Sequence, residues 1–140
     1  DRLTPVDLPA ARYAIVKPAA GTATAAIYTA SDLERATPLA IMRDFVAGIA
    51  ADPIRPWGRN DLQPVAMRLC PDVAAALERL TRLGLQPRMT GSGSAVFAVL
   101  PGDAEAAAVQ TADWPNGWQI RICHGLPEHP LVGWQKDAII

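Results

Sequence analysis

Histidine and cysteine are both scarce in this sequence, two of each, and that scarcity removes whole classes of chemistry. Cys70 and Cys123 cannot build a disulfide framework, and no Cys/His group has the spacing of metal ligands. Both thiols are expected to be reduced and half buried, as in a cytoplasmic protein. Charge of either sign is also in short supply. Thirteen Lys and Arg against fourteen Asp and Glu leave a formal net charge of -1, and the basic residues are scattered. With no basic stripe to follow a phosphate backbone, nucleic acid is not an expected partner. Long apolar runs are missing too: Arg, Asp or Pro interrupts every stretch short of a membrane span, and the first residues carry no signal-peptide pattern. A membrane is therefore not expected, and a soluble, cytoplasmic protein is. What is present is a 140-residue chain that is 50% hydrophobic and 19% charged, enough for a single domain with a real core. It opens at Asp1 with no methionine, a hint of processing or of a piece cut from something longer.

Local patterning gives the order of elements. Arg12 to Lys17 collects β-formers ahead of Pro18, which predicts a strand followed by a loop through Gly21 to Tyr28. Thr37 before Pro38 predicts an N-cap with proline at the first helical position, and Leu39, Met42, Phe45, Val46 and Ile49 continue at helical spacing, so a helix is expected over 38–50. Two prolines and a glycine make 52–59 a connector. Asn60 or Asp61 is expected to cap a short helix reaching Leu69. Pro71-Asp72 then starts another helix with the apolar set Val73, Ala76, Leu77, Leu80 and Leu83, stopped by Gly84. The tract Thr90-Gly91-Ser92-Gly93-Ser94 is expected to turn a hairpin into a buried strand over 95–100, Asp103 to cap a helix to Thr111, and 118–122 to alternate as a last strand before an irregular tail from His124. Strand, helices, strand, strand, helix, strand is the order of an α+β, ferredoxin-like split β-α-β arrangement, an antiparallel sheet with helices on one face.

The chemistry-bearing residues are few. In Thr90, Gly91, Ser92 and Gly93, closely spaced glycines let backbone N–H groups converge on an anion, and hydroxyls add donors. The same tract also reads as a hairpin turn that merely needs positive φ, and it matches neither the nucleotide P-loop nor the dinucleotide spacing. Tyr28 follows a loop of small residues just past a strand and suits either a stacking platform or a core position. Asp61, Asp72 and Asp103 fall at helix starts, where the dipole accounts for them. His124 and His129 have no nucleophile or metal partner. No catalytic set and no metal site is expected within these residues.

The ordered set Leu3-Thr4-Pro5-Val6, Val16-Lys17-Pro18, Thr24 to Tyr28, Asn60-Asp61-Leu62 and Arg88 to Ala98 resembles the second half of the 4-diphosphocytidyl-2-C-methyl-D-erythritol kinases, a family of the galactokinase, homoserine kinase, mevalonate kinase and phosphomevalonate kinase superfamily. The resemblance runs from about Leu3 to Leu131. It implies a C-terminal domain over 1–140 whose partner, the N-terminal ATP-binding domain of the same enzyme, lies outside this chain together with the catalytic groups. It implies ATP and Mg2+ as cofactors of the full-length enzyme, none bound by this piece alone, and a cytidine-diphosphate-linked methylerythritol as substrate. By position, Tyr28 matches the aromatic that stacks on cytosine, Thr24 a threonine near the reacting phosphate and hydroxyl, and Gly91, Ser92 and Gly93 the third glycine-rich motif of the superfamily. Ala25 departs from relatives that carry proline there. The rival expectation is a stand-alone ferredoxin-like module that binds a small molecule without a second domain.

Overall fold

The computed structural model describes residues 9–38, 42–52, 58–126 and 131. Along the chain run β1 (Arg12–Lys17), α1 (Thr24–Tyr28), α2 (Met42–Ala51), α3 (Gln63–Leu69), α4 (Pro71–Arg82), β2 (Arg88–Met89), β3 (Val96–Leu100), α5 (Asp103–Thr111) and β4 (Gln119–His124). The strands form one sheet in the order β2-β3-β1-β4, and every neighbouring pair is antiparallel. The first strand lies centrally, between the third and the last, which is the expected split β-α-β topology.

Alternation along the strands shows which face carries the core. Ala14 and Val16 of β1 and Val96, Ala98 and Leu100 of β3 are buried, and they join Ile27, Val65, Val73, Leu80 and Val109 from the helices in a single cluster. Each buried Val, Leu or Ile among them contributes about 1.5–3 kcal/mol by leaving water, and each Ala less. On the opposite face Tyr13, Ile15, Phe97 and Val99 are only half buried, and the Tyr13 and Phe97 rings meet edge to face at a centroid distance of 6.4 Å. The run from Ala95 to Leu100 is thus not uniformly buried as its apolar composition predicts. Among the described residues the buried helix side chains join the Ala14 and Val16 face, so the alternate residues of β1 and β3 are left only partly covered.

Helix α4 follows its apolar pattern: Val73, Ala76, Leu77 and Leu80 are buried, and Gly84 ends it at φ +78°, a conformation that glycine adopts without a Cβ penalty. Several expected caps are not made. Thr37 and Pro38 stand outside α2, which begins at Met42. The Thr37 hydroxyl donates instead to Asp61 Oδ2 at 2.7 Å. Residues 39–41 and 53–57, and with them Leu39 and Trp57, lie outside the described residues, as do the side chains of Met42, Val46 and Ile49. Leu62, not Asn60 or Asp61, occupies the N-cap of α3 without a side-chain cap bond, and Gly102 rather than Asp103 caps α5. Asp103 sits one residue inside that helix and pairs with Arg12 of β1, a use of an early-turn acid that the helix dipole favours. β4 runs to His124, beyond the expected end at 122, because its whole length pairs with β1. Cys70 is buried, Cys123 is half buried, and neither is in a disulfide.

Candidate functional site

The segment after β1 is not an open loop to Tyr28, as its small residues predict, but turns through the short helix α1. Five residues cannot sustain a helix by themselves, and this one is anchored through Ile27, whose side chain is fully buried. The next residue projects the other way. Tyr28 is 55% exposed, which excludes the core reading of this aromatic and leaves its ring face available.

A second piece, the glycine tract between β2 and β3, lies against the start of α1. Thr24 Oγ1 and Ser92 Oγ are 2.9 Å apart, and the Thr22 hydroxyl donates to the Ser92 carbonyl at 2.8 Å. The sequence-expected residues Thr24, Gly91, Ser92 and Gly93 are therefore brought together. Gly91 and Gly93 both have positive φ, +53° and +87°, so the hairpin-turn requirement is real. At Gly93 there is a further demand: an added Cβ would stand 2.8 Å from Met89 Sδ and 3.3 Å from Thr22 Cγ2. Space and backbone conformation both select glycine there, whereas at Gly91 nothing lies within 4 Å and only φ does.

The tract is held from three other sides by residues whose role the sequence did not reveal. Lys17, at the end of β1, donates to Ser94 Oγ and to the Pro18 carbonyl, both at 2.9 Å, and Ser94, itself buried, donates to the Ala20 carbonyl at 2.6 Å. Asn60 Nδ2 donates to the carbonyls of Met89 at 2.9 Å and Gly91 at 2.8 Å, while its Oδ1 accepts from the Leu62 amide at 3.0 Å. Gln63 Oε1 accepts from the Met89 amide at 2.9 Å. The start of α3 is thus a clamp on the tract. An Asn three residues ahead of a helix is a trace of this in the sequence, and the trace points to capping.

Asp61 belongs to a neighbouring cluster. The Thr37 hydroxyl and the Arg59 guanidinium hold its carboxyl below the usual carboxylate range, and Arg59 Nη2 also donates to Thr37 Oγ1 at 2.7 Å. Between α1 and this cluster opens a groove of about 730 Å3 lined by Tyr28, Arg35, Asn60, Arg88, Thr90 and Gly91 among others. Burial pushes the Arg88 guanidinium below its ordinary pKa, though an arginine remains charged throughout the physiological range.

These groups can stack, donate hydrogen bonds and shape a surface, but they supply no nucleophile paired with a base. Among the described residues no group of three or more His, Cys, Asp or Glu could hold a metal ion, and no helix is long and apolar enough to cross a membrane. His124 is exposed at the end of β4, and His129 lies outside the described residues. Trp114 and Trp118 pack against the core with ring centroids 6.1 Å apart, away from the glycine tract in sequence and in contacts.

Residues 47–112 match the family model for the C terminal of the GHMP kinases. Over 134 residues the chain is 48% identical to a 4-diphosphocytidyl-2-C-methyl-D-erythritol kinase of Polaromonas sp. (strain JS666), covering 96% of this chain and 42% of that protein. It is 46% identical over 144 residues to the protein of the same name from Variovorax paradoxus (strain S110), covering 96% of this chain and 48% of the relative. A crystal structure of 4-(cytidine 5'-diphospho)-2C-methyl-D-erythritol kinase superposes with a TM-score of 0.61 at 27% identity, over 79% of this chain and 41% of that one. The chain spans less than half the length of these relatives.

Proposed function

We propose, from the match of residues 47–112 to the C-terminal model of the GHMP kinases and the 48% identity to the Polaromonas protein, that this chain is the substrate-contributing half of an ATP-dependent 4-diphosphocytidyl-2-C-methyl-D-erythritol kinase, acting in isoprenoid precursor supply by the non-mevalonate route. In this reading Tyr28 stacks on the cytosine ring, Thr24 stands near the reacting hydroxyl and phosphate, and Thr90 to Gly93 form the floor of the active site beside the other half of the enzyme. ATP and Mg2+ supply the phosphoryl group and the neutralising charge. The residues of this chain would border them with backbone and hydroxyl groups only, and the catalytic groups would come from the N-terminal domain of the same, cytoplasmic enzyme.

The observation that carries the reading is the coupling of an exposed aromatic to a glycine tract through Thr24 and Ser92. An aromatic face that offers only its ring suits a nucleobase, because base-aromatic stacking is worth about 1–3 kcal/mol per base. A glycine-rich tract that offers backbone and small hydroxyls and is fixed beside it suits a crowded phosphoryl-transfer centre. In the full-length enzyme Tyr28→Ala should raise KM for the cytidine substrate by about one to two decades, with kcat and KM for ATP little changed, since the base is bound alike in ground and transition states. Tyr28→Phe should be nearly silent. An unaltered KM in Tyr28→Ala would remove Tyr28 from the site.

A further inference from the structure

We propose that Arg35 is the positioning residue of the Tyr28 platform, a role that rests on Tyr28 acting as the stacking face. Arg35 Nη2 donates to the Tyr28 carbonyl at 2.5 Å, and Nη1 to the carbonyls of Leu33 at 3.2 Å and Ala30 at 3.3 Å. One guanidinium thus gathers three carbonyls from the chain that leaves α1, including that of the residue whose ring is to be held.

The place of such a clasp follows from how this short helix is otherwise fixed. Its backbone bonds begin with Ile27 N–H to Ala23 O at 3.2 Å and Thr29 N–H to Ala25 O at 3.0 Å. No side chain caps its N-terminus, and no basic residue stands in its last turn. Ile27 anchors it to the core and Thr24 ties its first turn to Ser92; past Tyr28 the chain is held by Ala30 and Leu33 packed on the core and by Asp32 bonded to Arg68 of α3, while Arg35 bonds the Tyr28 carbonyl itself. The Ala25, Ala26 and Ile27 carbonyls are taken by Thr29 and Ala30, and the Tyr28 carbonyl, at the negative dipole end of the helix, is taken by Arg35. A cation arriving from seven positions on neutralises that end and bonds it at once. The planar fork is needed for this, because an ammonium is a single point of charge and cannot span three acceptors in the same way.

The segment does not end with this clasp. Two residues past Arg35, Thr37 is bonded to Asp61 and Arg59, and Asn60 holds the glycine tract. Through these bonds and the chain itself, Tyr28, Arg35, Thr37, Asp61, Asn60, Gly91, Ser92 and Thr24 form a closed ring of links, of which Tyr28, Arg35, Asp61, Asn60 and Gly91 line the groove. Arg35 fixes the spacing between the stacking face and the tract by closing that ring at α1.

The test has two arms. In the 140-residue chain, amide hydrogen exchange at Ile27 and Thr29 should quicken by about tenfold or more in Arg35→Gln, because bonds to a charged donor are lost from a marginal helix. Exchange at Leu80 in the core should stay as it was. In the full-length enzyme Arg35→Gln should raise KM for the cytidine substrate with kcat little changed, Arg35→Lys should restore part of it, and in a Tyr28→Ala background Arg35→Gln should add almost nothing. Unchanged exchange at Ile27 and Thr29 overturns the proposal, and if KM rises all the same, Arg35 is instead touching the substrate directly. Additive effects of Arg35→Gln and Tyr28→Ala on KM overturn it as well. If exchange quickens while Tyr28→Ala leaves KM unaltered, the clasp on α1 stands and the stacking role of Tyr28 falls. Should Arg35→Gln prove too unstable to handle, Arg35→Lys carries the exchange arm with the same expected direction.

Discussion

Gly93 is the residue at which conformation and space make the same demand. Its φ of +87° excludes an easy L side chain, and the 2.8 Å approach of Met89 Sδ to an added Cβ leaves no room for one. Met89 is itself buried, so its sulfur cannot swing into solvent to make way. Gly93→Ala should therefore cost more than the about 1–2 kcal/mol of a left-handed residue alone, whereas Gly91→Ala, with open space around it, should cost no more than that. Thermal denaturation of the two variants measures the difference. Equal melting temperatures would mean that Met89 yields more readily than its burial implies. Activity in the full-length enzyme should follow the same order, because displacing Met89 and Thr22 moves the tract that Ser92 shares with Thr24.

Among elements, α1 and the start of α3 do the positioning, and they differ in how far the sequence disclosed them. α4 was readable in full: a proline at its start, four apolar residues at helical spacing and a glycine to stop it are local signals that tertiary packing reinforces. α1 was not readable, because Thr24 to Tyr28 has neither caps nor period, and it is held by tertiary contacts, burial of Ile27 first among them. Thr37, Asn60 and Asp61 carried cap-like signals and make tertiary bonds instead, since local patterns cannot show which distant acceptor a side chain will meet. Tyr28 and the glycine tract stood out by composition, and their relation to each other became visible only through the Thr24 to Ser92 contact. The Asp61 cluster also makes a pH-dependent joint between 37 and 61. The Thr37 hydroxyl and Arg59 depress the Asp61 pKa in the folded state. The stability it contributes is thus fully present above the unfolded carboxyl value of about 4 and is lost as pH falls through the lower folded value. Asp61→Asn should flatten the acid limb of the stability curve below about pH 4 and leave its shape near neutrality unchanged, as urea titrations across that range would report. An identical acid limb in both proteins would mean that the cluster adds nothing to folding.

At the scale of the whole molecule, the fold gives one helix-covered sheet with its site at an edge rather than in an enclosed cavity. Tyr28, Thr90 and Gly91 lie open at the surface beside the groove, and among the described residues no group of three or more His, Cys, Asp or Glu could hold a metal ion there. Phosphoryl transfer depends almost entirely on positioning and on charge stabilisation around the moving group, and a surface that only stacks and shapes cannot provide these. In the proposed reading this surface is a half-site completed by the rest of the relatives' length, of which the chain spans 42% in the Polaromonas protein. The most direct measurement is an ATP-dependent phosphorylation assay on 4-diphosphocytidyl-2-C-methyl-D-erythritol, run with the 140-residue chain and with the same chain extended at its N-terminus to the full length of those relatives. The 140-residue chain should show no turnover above background and the extended enzyme should phosphorylate the substrate; turnover by the 140 residues alone, or none by the extended enzyme, would contradict the account.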